Sequence, residues 1–157
     1  MQRFRSVRVD ELRQFDFWVG TWKLRWNGGE GTNLIQPIFD GRVIVEHFDG
    51  RPGISLRGMS VSTYDVDARV WRQTWVDSDG RYLDFAGGLR GRDMDLRRDG
   101  THGGRSAVFR MLWHGISENS LLWNWECSSD AGRSWKTLWP IEYERVEARE
   151  IDRDGRI

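Results

Sequence analysis

Phe15-Asp16-Phe17-Trp18-Val19-Gly20-Thr21-Trp22 packs four aromatic side chains into eight residues and runs straight into Trp22-Lys23-Leu24-Arg25-Trp26. Burying one large apolar side chain is worth roughly 1.5–3 kcal/mol, and aromatic pairs add to that, so the stretch reads as a plug or seam. Gly20 supplies the corner at which a short helical turn can become a strand, because glycine reaches backbone angles that other residues avoid. Beyond it, Trp22, Leu24 and Trp26 face one way and Lys23 and Arg25 the other, the period of two that marks a half-buried strand. Upstream, residues 9 to 18 can form one or two helical turns, with Asp10 as N-cap and Leu12, Phe15 and Trp18 along one side.

Downstream the chain keeps the alternating pattern and breaks it at turn residues. Asn27-Gly28-Gly29, Asp40-Gly41, Asp49-Gly50, Asp79-Gly80, Asp99-Gly100 and the segment from Ser129 to Gly132 carry the glycine chemistry of tight hairpins. Between them strands are expected near 21–27, 32–39, 42–49, 54–64, 69–77, 81–88, 91–97, 105–114, 119–128 and 134–146. Short loops leave no room for crossover helices, so the connections are sequential and antiparallel. A long twisted meander closes on itself and removes its edges. The expectation is an all-β, ten-stranded, antiparallel up-and-down barrel with a short N-terminal helix, one domain over 1–147 and a charged, flexible tail over 148–157.

Alternation assigns most faces. Phe109, Met111 and Trp113 oppose Arg110 and His114. Leu121, Trp123 and Trp125 oppose Asn124 and Glu126. Trp135, Trp139, Ile141 and Tyr143 oppose Lys136, Glu142 and Glu144. In 69–77, Trp71, Gln73, Trp75 and Asp77 oppose Val70, Arg72, Thr74 and Val76, and either set could face inward. An outward Val70, Thr74 and Val76 stripe would suit a symmetric homodimer.

A chain of 157 residues can bury a sizeable core without crosslinks. Lysine plus arginine equals aspartate plus glutamate at 24 each, which removes the electrostatic case for nucleic acid or an anionic membrane surface. Cys127 is the one cysteine, so no intramolecular disulfide or cysteine-built zinc site is available and a reducing compartment fits. Met1 to Val9 carries three arginines without an apolar run, and no stretch has the length of a membrane span. A cytoplasmic protein is the expectation. Ten tryptophans exceed what a small core needs and suggest a pocket or an interface.

Phe15, Asp16, Gly20 and Trp22 form a Phe-Asp-x-x-x-Gly-x-Trp opening. Arg57, Gly58, Ser60, Tyr64 and Asp65 follow as Arg-Gly-x-Ser…Tyr-Asp, then Trp71, Gln73, Trp75 and Asp77 as Trp-x-Gln-x-Trp-x-Asp, and residues 128 to 135 as Ser-Ser-Asp-Ala-Gly-Arg-Ser-Trp before a last strand with Tyr143. With these motifs, over residues 12 to 146, the chain resembles a bacterial family of lipocalin-like, calycin-type barrels of unknown function. The resemblance implies the barrel more firmly than any activity, and calycin barrels are mostly carriers of small apolar molecules with a scattering of enzymes. Related haem-binding barrels hold iron through a late histidine. No histidine follows His114 here, so no haem site carries over and no cofactor is expected.

Two functional readings follow. In the first, inward Trp22, Trp75, Trp125, Trp139 and Tyr143 line a cavity for a small apolar or aromatic molecule, and Gln73, with Glu46 or Arg57, orients a polar handle. The alternative is that the tryptophans fill the barrel, although ten strands enclose more room than the roughly eight that side chains can fill. In the second, Glu46, inside the apolar run Val43 to Phe48, is a buried carboxyl of raised pKa that serves as general base in a cofactor-independent isomerase, cyclase or dehydratase, with Tyr64, Gln73 or Asp77 as partner. The alternative for Glu46 is a structural ion pair with an arginine. His47 faces opposite Glu46. His47, His102 and His114 have no zinc spacing, so no metal is expected. Ser60 and Ser62 lack a nucleophile-elbow context, and the glycines at 28–31 and 87–91 open no helix that could cradle phosphate.

Overall fold

The computed structural model describes residues 9–146, so the expected tail over 148–157 lies outside the described residues. A short helix α1 (Val9–Leu12) and a 3₁₀ turn (Asp16–Trp18) lead into ten strands: β1 (Gly20–Trp26), β2 (Gly29–Ile38), β3 (Val43–Asp49), β4 (Arg57–Asp65), β5 (Val70–Asp77), β6 (Tyr82–Arg90), β7 (Asp93–His102), β8 (Arg105–His114), β9 (Ser120–Ser128) and β10 (Lys136–Arg145). Each strand pairs antiparallel with its neighbours in sequence, and β1 pairs with β10 to close the barrel. Closure leaves no sheet edge exposed. No helix among the described residues is long and apolar enough to cross a membrane.

The aromatic opening stoppers one end. Phe15 and Trp18 are fully buried, and the Phe15 ring meets Trp18 at 5.0 Å, Trp71 at 5.3 Å and Trp113 at 5.0 Å between centroids. Trp22 Nε1 donates to the Trp18 carbonyl oxygen at 2.8 Å, and Trp71 Nε1 to Gln14 Oε1 at 3.2 Å. Arg145 ties the plug to the rim: its guanidinium donates to the carbonyl oxygens of Val19 (2.6 Å), Phe17 (3.1 Å) and Glu118 (2.8 Å) and lies 4.2 Å from the Trp22 ring. Gly20 permits this twice over. Its φ is +137°, and a Cβ there would land on Arg145 Nη1. Asp10 lies within α1 rather than at its N-cap, with its carbonyl oxygen accepting the Arg13 N–H at 3.2 Å.

The expected strands all form, with several ends shifted by up to three residues, and three further differences bear on the architecture. The fourth begins at Arg57, because residues 50–56 fold into a loop over the open end, held by Gly50 N–H to Leu56 O (2.9 Å) and Gly53 N–H to Glu30 O (3.0 Å). The seventh runs on to His102. Gly100 pairs with Ala107 inside the ladder, and the hairpin turns at Gly103 and Gly104, whose φ values of +59° and +75° suit a turn with the twist of its strands. Third, Trp135 does not share the face of Trp139. The register shifts between Thr137 and Trp139, so the residues before it change sides. Trp135 then covers the outside of the barrel, 4.0 Å over the guanidinium of Arg110 and 5.0 Å over that of Arg97. Those two arginines hold buried Asp95 and Glu126 in one ion-pair network.

On β5 the ambiguity resolves: Trp71 and Gln73 are buried inside, and Val70, Thr74 and Val76 face out beside Met59, Val61 and Tyr82.

Candidate functional site: a tryptophan-walled cavity with a carboxyl on its floor

The plug fills one end of the barrel, and the other encloses a cavity of about 460 Å³. Trp75, Trp123, Trp125 and Trp139 supply its walls with Phe48, Trp113 and Tyr143 lie toward the plug, and the 50–56 loop and the β5–β6 turn frame the mouth. The wall rings stand nearly perpendicular to one another, Trp123 to Trp139 at 90° and Phe48 to Trp139 at 87°. Each such edge-to-face contact holds both rings in place.

Gly58 and Asp77 set the position of Trp75. A Cβ on Gly58 would fall on the Trp75 ring, so the missing side chain is the space the indole occupies. Asp77 accepts Trp75 Nε1 at 2.9 Å and the backbone N–H groups of Asp79 (3.0 Å) and Arg81 (3.1 Å). Burial pushes the Asp77 carboxyl up, but these donors outweigh it and hold it below the ordinary range. Gly58→Ala is expected to destabilise the protein by about 1–3 kcal/mol, as overpacking does. The cost should shrink in an Asp77→Ala background, where the indole is free to move. A double-mutant cycle by urea denaturation checks this, and additive effects would contradict it.

Glu46 is the polar centre. It projects inward from β3, opposite Ser60 on β4, and is 6% exposed. Asn33 Nδ2 donates to its Oε2 at 2.6 Å and Ser60 Oγ to its Oε1 at 2.7 Å. Burial raises its pKa and the two hydrogen bonds lower it again in part, leaving the carboxyl pushed up to about 7. Among the described residues, the expected alternative of an arginine ion pair is not found: both hydrogen bonds come from neutral side chains. Asn33 also donates to Tyr143 Oη at 3.0 Å, and burial, followed by the charge of Glu46, drives the Tyr143 phenol well above its usual value. Tyr143 is therefore a phenol that keeps its proton beside a carboxyl poised near neutrality.

Of the residues singled out from the sequence, Glu46, Trp75, Trp125, Trp139 and Tyr143 meet around the cavity. Trp22 is inward but belongs to the plug, against Trp18. Gln73 is buried outside the cavity lining, its Nε2 donating to Ser62 Oγ at 2.9 Å. Arg57 lies on the outer face, exposed, because inward Gly58 is its neighbour, so it cannot orient a handle inside. Tyr64 points inward at the plugged end, packed on Trp71 at 5.8 Å and beside Arg69, and does not reach Glu46. The tyrosine near Glu46 is instead Tyr143, joined to it through Asn33.

Asn33 and Ser60 were missed. For Asn33 the sequence carries a partial signal, its shared parity with Ile35 on β2, whereas Ser60 comes across from Glu46 only through the pairing of β3 and β4. Among the described residues, no group of three or more histidine, cysteine, aspartate or glutamate side chains is placed to hold a metal ion. Comparison with models of known protein families and with curated proteins found no match, so the reading of this site rests on its geometry.

Proposed function

We propose that the protein binds a small apolar or aromatic molecule inside its barrel. One observation carries this: a cavity of about 460 Å³, walled by tryptophan and open at one end, in a barrel stoppered at the other. Volumes of this order suit small-molecule ligands, and an apolar lining with few polar groups is the usual form of such sites. The lipocalin-like resemblance of the motifs points the same way, and the structure supplies roles for them. Gly58 makes room for Trp75, Ser60 holds Glu46, and Asp77 fixes the Trp75 indole.

Native mass spectrometry of freshly purified protein should show a mass above the denatured chain, the difference identifying the ligand class. For protein stripped of ligand, titration with N-phenyl-1-naphthylamine, a neutral fluorophore at pH 7, should give saturable binding that fills one site per chain. No binding of this probe would count against an accessible cavity.

A second reading has its own support. Glu46 titrates near neutrality while Asp77, at the mouth, stays ionised, and pairs of acids driven apart in this way are how one pocket separates proton acceptor from spectator. With Tyr143 as the adjacent donor, the pocket suits a proton-shifting, cofactor-independent reaction such as an isomerisation, cyclisation or dehydration. Loss of turnover in both Glu46→Gln and Tyr143→Phe, on a substrate identified from the bound molecule, would place catalysis there.

A further inference from the structure

We infer that the molecule this cavity takes is an organic ammonium, its nitrogen on Glu46 and its apolar body against the tryptophans. The inference rests on the ligand-binding reading above and adds the charge and the polar handle. Three features of the cavity converge on it.

The first is a missing counter-charge. A buried carboxylate is paired, or it is neutral. Glu46 is buried in a chain with 24 basic residues, yet its two hydrogen bonds come from an amide and a hydroxyl. The charged side chains along the cavity are Glu46, Asp77, Asp79 and Arg81. Arg81 already lies 3.5 Å from Asp77 and 3.3 Å from Asp79, so the lining is negative overall, and Glu46 has no ion-pair partner among the described residues. An anionic ligand would meet repulsion at the floor, and a cation would supply what the chain does not.

The second is an excess of acceptors. Each Glu46 oxygen has accepted one hydrogen bond and keeps a further lone pair. Asn33, fully buried, uses its amino group on Glu46 and Tyr143, and its Oδ1 has no donor among the described residues. An ammonium offers three donors and no acceptor, the complement of the Glu46 carboxylate in the cavity lining. Among the described residues, no group of three or more histidine, cysteine, aspartate or glutamate side chains converges here to hold a metal ion.

The third is the wall. With Trp123 and Trp139 at 90° and Trp113 and Trp123 at 79°, the rings present faces as well as edges. Tryptophan faces attract cations more strongly than the other aromatic rings.

The groups facing Glu46 also define a proton signature. β10 contributes Tyr143, whose phenol stays protonated; β2 and β4 contribute Asn33 and Ser60, which do not titrate; Asp77, Asp79 and Arg81 stand at the mouth; and His47 is exposed outside. A bound ammonium keeps Glu46 ionised, so binding below the carboxyl's titration near pH 7 releases a proton from it.

The test uses three probes of one shape: 4-phenylbutylamine, 4-phenyl-1-butanol and 4-phenylbutyrate. Calorimetry at pH 6 and 8, with the titrations at each pH repeated in two buffers of different ionisation enthalpy, reads affinity and proton release. The amine should bind at least about tenfold more tightly than the alcohol, as charge-assisted hydrogen bonds exceed neutral ones, and the carboxylate least. Amine binding should release most of one proton at pH 6 and close to none at pH 8. In Glu46→Gln the amine's advantage over the alcohol should fall to within about twofold. If that variant does not fold, proton release by the unaltered protein still decides. Equal or tighter binding of the alcohol, no proton release at pH 6, or an amine advantage that survives Glu46→Gln would overturn the inference while leaving the ligand-binding reading standing. Failure of both N-phenyl-1-naphthylamine and the three probes to bind would overturn both.

Discussion

Replacing Phe15 with alanine is expected to cost about 3–5 kcal/mol of folding stability, the range for truncating a buried aromatic residue. Phe15 is 0% exposed, and its ring touches those of Phe17, Trp18, Trp71 and Trp113. These partners come from the N-terminal turn, from β5 and from β8, so the ring joins segments far apart in sequence. Trp18 also packs on Trp113 at 5.2 Å, and Arg145 pins the backbone on either side of it, so the surroundings have little freedom to collapse into the space left behind. Urea denaturation followed by near-ultraviolet circular dichroism measures both the midpoint and the loss of coupling between rings. A cost below about 1 kcal/mol, with the barrel transition unchanged, would show that the plug opens independently of the strands.

The barrel was legible because its information is local. Period-two alternation and glycine turns recur along the chain, and each hairpin sets its own register. Reading failed where one residue changes the count. The bulge between Thr137 and Trp139 leaves no mark in the sequence, so Trp135 counted as inward although it covers Arg97 and Arg110 outside. Asp99-Gly100 resembles a turn more than His102-Gly103-Gly104 does, but two successive glycines with positive φ make the tighter hairpin.

The candidate site was legible in part for a related reason. Alternation tells which face a side chain takes, not its height along the barrel axis. Tyr64 and Trp22 face inward as expected, yet both stand at the plugged end, outside the lining of the cavity that Glu46 shares. Glu46 stood out because an ionisable residue inside an apolar run has few structural reasons to be there. Asn33 and Ser60 did not, because neutral polar residues are common on both faces of a barrel strand. Their role emerges only when β2, β3 and β4 are set side by side.

Glu46→Gln should make the protein more stable at pH 8, by up to roughly 3 kcal/mol, and give little or no gain near pH 4.5. The folded carboxyl titrates at about 7 against a usual 4.5, and each unit corresponds to about 1.36 kcal/mol. An acid whose pKa is raised on folding holds its proton in the folded state across the interval in which the unfolded chain has released it. Stability from this group is therefore greatest below 4.5, falls as pH rises through that window and levels off above 7. Glutamine has no such charge, and its amide can accept from Asn33 while donating to Ser60, so the packing around it persists. The depressed carboxyls of Asp49, Asp65 and Asp130 work in the opposite direction as pH falls, but they do so in both proteins and cancel in the difference. Urea midpoints at half-unit intervals from pH 4.5 to 8.5 measure that difference. A flat difference would mean that Glu46 titrates like an exposed carboxyl, which would remove support from the poised-base reading and from the proton release expected on ammonium binding. A difference that grows toward pH 7 would mean that the free protein carries an unfavourable charge on the floor of its cavity. Stability given up at a binding site is a recurring consequence of function, and a cationic ligand would recover it on binding.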